Sequence, residues 1–168
     1  VEQVFVSGRD TGTVGSGETN TLTATDINGA QEFWSDGSRV DALAVNNIQN
    51  AATVGMRGAH DDILFQVNFA NAVTTSNDTV EVAFDGLGLR PGATAGASPR
   101  IDGFETFDLT NSGDSTTDNP AGNNLTTLNI SGDGNLTVTG QNTVNQHARV
   151  VNASNFDGES LSYTVTGR

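Results

Sequence analysis

Apolar residues fall at every second place in a series of short runs along the chain: VEQVFVSG, NTLTATD, DILFQVNFA, DTVEVAFDG, FETFDLTNSG, LTTLNIS, NLTVTG and SLSYTVTG. Each run is bounded by Gly, Asn, Asp or Ser, and a period of two between turn residues predicts short β-strands. One stretch departs from this. Arg39 to Ala52 (RVDALAVNNIQNAA) places Val40, Leu43, Ile48 and Ala51 at mixed spacing, and a helix is the expectation there. Leu89 to Arg100 holds two of the three prolines and reads as a loop, and Asn111 to Asn124 reads as a polar excursion.

The chain also resembles itself. FETFDLT at Phe104, LTTLNIS at Leu125 and ARVVNAS at Ala148 share one order: apolar, two variable residues, apolar, Asp or Asn, apolar, then Thr or Ser. The three starting points are nearly evenly spaced, and two of the copies continue through a Gly/Asp turn into a second strand ending in Thr-Val-Thr-Gly. Repeats of this length mark a solenoid, whose single turns cannot bury their own apolar edges. Phe107, Leu128 and Val151 are therefore expected in vertical register. Leu128 and Ile130, and likewise Leu161, Tyr163 and Val165, are expected to point inward. Asp108, Asn129 and Asn152 are expected to form a hydrogen-bonded ladder, and Gly132, Gly134 and Gly158 to supply positive φ in the turns. The fold class is all-β, with a parallel β-solenoid of the β-helix or β-roll kind in the C-terminal part and a β-rich N-terminal lobe. The expected divisions are 1–88 for the lobe, 89–100 for a Pro/Gly loop and 101–168 for the solenoid. A β-sandwich is the alternative, but it leaves the self-similarity unexplained.

Composition narrows the chemistry. The formal charge is −13, and all seven basic residues are Arg. Nucleic acids and anionic membranes, which need a cationic footprint, are not expected partners. Without Lys there is no P-loop lysine or Schiff base, and without Cys no disulfide, thiolate nucleophile or thiolate zinc site. No apolar run is long enough to span a bilayer. The chain opens at Val1 and stops at TVTGR, and both ends read as cut.

GFETFDL at Gly103 to Leu109, LTTLNISGDGNLTVTG at Leu125 to Gly140 and ARVVNASNFDGESLSYTVTG at Ala148 to Gly167 resemble the repeats of proteobacterial S-layer and RTX-like type I secreted surface proteins. RGAHDDILFQVNF, from Arg57, resembles a degenerate glycine-aspartate calcium repeat, with Arg57 and His60 standing where that repeat has Gly. The resemblance implies secretion to the bacterial cell surface, self-association, and calcium held by oxygen ligands. Asp61 and Asp62 are the candidate ligands it points to. Asp78 in TSNDT and Asp133 in SGDGN are further candidates from their Gly- and Asn-rich turns.

Enzyme motifs are missing. There is no G-x-S-x-G elbow, and the spacing in DGLGLRPG does not fit a phosphate loop. His60 and His147 read as surface residues. Trp34, the only Trp, reads as core beside Phe33. The sequons at Asn77, Asn124, Asn129, Asn135 and Asn152 are what an Asn/Thr-rich chain yields by chance. The expectation is a non-enzymatic, extracellular structural protein that self-assembles into an S-layer-like lattice or filament with calcium support. The alternatives are a cell-surface adhesin or carbohydrate-binding module, which would meet a surface polysaccharide, and a fragment of a polysaccharide-degrading β-helix enzyme.

Overall fold

A computed structural model describes residues 2–10, 17–61, 63–70, 77–91, 97–140 and 148–164. Among these there are fourteen strands and no helix: β1 (Glu2–Val6), β2 (Thr19–Thr23), β3 (Ala30–Asp36), β4 (Ala42–Ile48), β5 (Thr53–His60), β6 (Leu64–Phe69), β7 (Thr79–Leu89), β8 (Ser98–Ile101), β9 (Thr106–Ser112), β10 (Ser115–Asp118), β11 (Thr127–Gly132), β12 (Leu136–Thr139), β13 (Val150–Phe156) and β14 (Leu161–Tyr163). The odd-numbered strands form one seven-stranded sheet in the order β1-β3-β5-β7-β9-β11-β13. The even-numbered strands form two smaller sheets, β2-β4-β6-β8 and β10-β12-β14. The paired strands are parallel. That excludes a sandwich, which is antiparallel, and makes the chain a β-solenoid.

The coil begins well before the region where the repeat is legible. Strands from both sides of residues 89–100 lie in the same long sheet, and β8, inside that stretch, pairs with β6. Hydrogen-bonded pairs on neighbouring rungs give the length of each coil as a separation along the chain: 29 for Gln3 and Glu32, 21 for Asp36 and Arg57, 28 for Thr53 and Glu81, 27 for Asp78 and Glu105, 21 for Asp108 and Asn129, and 23 for Asn129 and Asn152. The last two are the spacing of the repeat read from the sequence. Most upstream coils carry longer connections, so the same architecture does not appear there as a fixed period.

Stacked apolar columns make the core. Val4, Phe33, Val54, Val82, Leu109 and Ile130 form one column, and Val80, Phe107, Leu128 and Val151 another. The four Phe residues 33, 65, 84 and 107 are buried, as are Leu128 and Ile130. Burying one such side chain is worth about 1.5–3 kcal/mol, so the columns dominate the stability. Leu161 and Tyr163, on the last rung, are half-buried, and Val165 lies outside the described residues.

Three local expectations are corrected. Arg39 to Ala52 holds strand β4 and not a helix. Leu43 and Val45 alternate inward, then Asn47 at φ 62° and a register break before Ile48 interrupt the period. That irregularity imitates helical spacing. Asn111 to Asn124 is buried along much of its length and is not an excursion: it holds β10, and Asn111, Ser115, Thr117, Asp118 and Asn119 are all inside. Of the three turn glycines, Gly132 alone has positive φ, at 107°. Gly134 and Gly158 are needed for close approach, since a Cβ at Gly134 would strike the carbonyl of Gly113, and one at Gly158 the carbonyl of Gly134.

Candidate functional site

Residues that point out of the long sheet line up as closely as those that point in. Gln3, Glu32, Thr53, Glu81, Asp108, Asn129 and Asn152 occupy one position on seven successive rungs. Parallel rungs stack about 4.8 Å apart, within reach of side-chain hydrogen bonds. Gln3 Nε2 donates to Glu32 Oε2 (2.8 Å), Thr53 Oγ1 to Glu81 Oε2 (3.1 Å), Asn129 Nδ2 to Asp108 Oδ1 (2.7 Å) and Asn152 Nδ2 to Asn129 Oδ1 (3.4 Å). The ladder read from Asp108, Asn129 and Asn152 is thus present, and the same position carries further hydrogen bonds between Gln3 and Glu32 and between Thr53 and Glu81. Its weak step is Glu81 beside Asp108, two carboxylates on adjacent rungs.

The next outward column begins with aromatics: Phe5, Trp34, Gly55, Ala83, Thr110 and Ser131. Trp34 is therefore not core. Phe33 and Ser35 on either side of it point inward, while Trp34 is half-buried on the outer face. Its indole lies across Gly55, where an added Cβ would enter the ring. Beside this column a groove of about 520 Å³ is lined by Glu32, Thr53, Glu81, Phe69, Val80 and Phe104 among others.

His60 is likewise not at the surface: it is 0 % exposed, together with Ser35 and Ser38. Its Nδ1 lies 3.0 Å from the Gly58 carbonyl, which can only accept, so Nδ1 carries the proton and Nε2 accepts from Ser35 Oγ at 3.1 Å. Ser38 Oγ then donates to Ser35 Oγ (3.0 Å), and Gly8 N–H donates to Ser38 Oγ (3.0 Å). Every donor in this chain has an acceptor when the ring is neutral. Burial, the largest influence, pushes the His60 pKa down. Ser35 and His60 resemble a nucleophile and base only in distance, because no carboxylate orients Nδ1 and neither group reaches solvent. His147 lies outside the described residues.

The calcium candidates stand apart. Asp61 follows β5, half-buried, its Oδ1 3.8 Å from Arg90 Nε. Asp78 precedes β7, with its amide donating to Glu105 Oε2 at 2.9 Å. Asp133 is exposed in the turn from β11 to β12. Asp62 lies outside the described residues. Among the described residues no three His, Cys, Asp or Glu side chains converge as a metal-ligand group. No helix long and apolar enough to cross a membrane is found among them either.

Sequence reasoning missed the aromatic column and the buried hydroxyl-imidazole chain. Gly55, one of two glycines in β5, is the signal that pointed to the first, because a strand glycine marks close approach. No protein-family model matches the chain, and no curated protein or solved structure matches it either.

Proposed function

We propose that the chain is a structural, non-enzymatic protein of the bacterial cell surface, a solenoid that self-assembles end to end into an S-layer-like lattice or filament. The observation that carries this reading is the seven-rung parallel sheet, on whose last described rung, β13, the core-column residue Val151 is 39 % exposed. A parallel edge offers unpaired N–H and C=O groups to a further strand of the same twist. The first described rung of the same sheet is β1. In the register of the ladder, Asn152 of one copy stands over Gln3 of the next and Ala153 over Val4, so amide meets amide and apolar meets apolar. Such head-to-tail contact does not close and grows a filament.

A charge of −13 opposes that approach, and divalent cations such as calcium relieve it. The experiment is light scattering and electron microscopy across protein concentration, with calcium and then with chelator, alongside melting by circular dichroism. Particle mass is expected to rise with calcium and fall with chelator, and the melting temperature to follow. Unchanged mass at all concentrations would overturn self-assembly, and growth indifferent to calcium would overturn the cation part alone.

A further inference from the structure

We infer that the Phe5–Trp34 strip on the outer face of the long sheet is a binding platform for a neutral pyranose glycan. Three features of the strip go beyond what an exposed aromatic needs for folding. Its place is built: the indole lies across Gly55, and any side chain there would displace it. Its orientation is held: Trp34 Nε1 donates to Glu32 Oε2 at 2.7 Å, and the same oxygen accepts from Gln3 Nε2 at 2.8 Å. Its length is two rungs, because Phe5 follows with ring centroids 6.3 Å apart and planes 30° from each other. A preoriented ring loses little entropy when a ligand settles on it.

The surroundings select the ligand. A pyranose ring has one face of C–H bonds, which packs against the electron-rich face of an aromatic, and a rim of hydroxyls that both donate and accept. The strip is bordered by both kinds of partner. Gln3 and Arg57 can donate; Glu32 and Asp36 can accept. Arg57 stacks its guanidinium over one face of Phe5, 4.1 Å from the ring centre, and holds Asp36 Oδ2 at 3.0 Å, so on that face the strip presents a fixed set of N–H donors and the bare aromatic surface is chiefly that of Trp34. The groove of about 520 Å³ starts at Glu32 and gives room for the next sugar over Phe69 and Phe104. That volume is in the usual range for small-ligand sites. Carboxylates at Glu32, Asp36 and Glu81 and the net charge of −13 disfavour anionic sugars and nucleotides. A purely apolar partner would strand the same polar rim without hydrogen bonds.

Trp34 is the only Trp, so its fluorescence reports on the strip directly. The test titrates the intact protein with cellohexaose, maltohexaose and tetrameric N-acetylglucosamine, read by Trp34 emission and by calorimetry. At least one of these is expected to give a saturable emission shift, to shield Trp34 from acrylamide quenching, and to lose about tenfold or more in affinity in Trp34→Ala, roughly 1.4 kcal/mol. The shielding measurement uses wild-type protein and stands even where the variant does not fold. Absence of a saturable response to all three glycans overturns the proposal, as does undiminished binding by a folded Trp34→Ala. The titration is run below the protein concentration at which light scattering detects assembly, because end-to-end contact at β1 would shift Trp34 emission by itself; a saturable response that appears only above that concentration overturns the glycan assignment.

Discussion

Ser35, Ser38 and His60 show how a polar residue comes to lie inside a solenoid. Each would cost several kcal/mol if buried alone, and the cost is avoided because Gly8, Ser38, Ser35, His60 and Gly58 form one continuous relay of donors and acceptors. Protonating His60 adds a second N–H that points at Ser35 Oγ, whose own hydrogen must then turn away and disturb the relay. Burial, which denies the imidazolium its water, is the main reason the folded pKa lies below the ordinary value, and the unfolded chain binds the proton more readily. Stability is complete above about pH 6.5 and falls as pH drops through the folded value. Arg90 adds to this direction, while Asp36 works against it. Urea melts at stepped pH are expected to show the loss, and a His60→Gln variant should flatten that part of the profile. Ser35→Ala, which strands Nε2, should cost about 1–3 kcal/mol near neutral pH. Sequence reading placed His60 at the surface, and its neighbours Arg57, Asp61 and Asp62 are charged. Val54 and Met56 point inward by alternation, and His60 returns to that side beyond Gly58 (φ 75°) and the register break next to it, which the sequence did not show.

At the scale of the strand, the outward ladder converts a repeated polar position into lateral support between rungs. Amide and hydroxyl steps hydrogen-bond, whereas Glu81 beside Asp108 places like charges in direct opposition. Asp108→Asn removes one of those charges and keeps an oxygen for Asn129 Nδ2. It should raise stability by about 0.2–1 kcal/mol. Thermal melts at low and high salt check this, since the gain is expected to shrink as salt screens the repulsion. The ladder between Asp108 and Asn152 was legible because the two coils that carry it are short and nearly equal in length. Gln3, Glu32, Thr53 and Glu81 belong to the same ladder but were hidden, since the coils joining Gln3 to Glu32, Thr53 to Glu81 and Glu81 to Asp108 are all longer. Strand β4 was misread for a related reason: the break at Asn47 shifts Ile48 off the period of two that Leu43 and Val45 set.

For the whole molecule, the continuous sheet from β1 to β13 means that each rung is stabilised chiefly by its neighbours and that an end rung has one neighbour fewer. On β13, the last described rung, Val151 is 39 % exposed, although its column partners Phe107 and Leu128 are buried. Val151→Lys places a charge on that edge, a common way to block strand addition. Under the assembly reading, light scattering should show the variant holding its smallest particle size in calcium while its circular dichroism spectrum stays that of the wild type. Glycan binding at Trp34 of the unassembled protein should be unaffected, because within one copy that strip lies at the opposite end of the sheet.

What the sequence determined by itself was the class of structure: period-two strands, turns rich in Gly and Asn, and a repeat that only stacking in parallel can bury. It also determined which side chains share a face, since neighbours in a strand point in opposite directions. What the tertiary structure decided was which face goes inside and which residues meet across rungs. Phe33 and Trp34 are adjacent aromatics, and nothing local says which of them enters the core. The choice follows from Val54 lying opposite one and Gly55 opposite the other, a full coil further along the chain. Contacts between coils depend on the full length of each connection, and that length varies from rung to rung, so it is fixed only when the chain has wound.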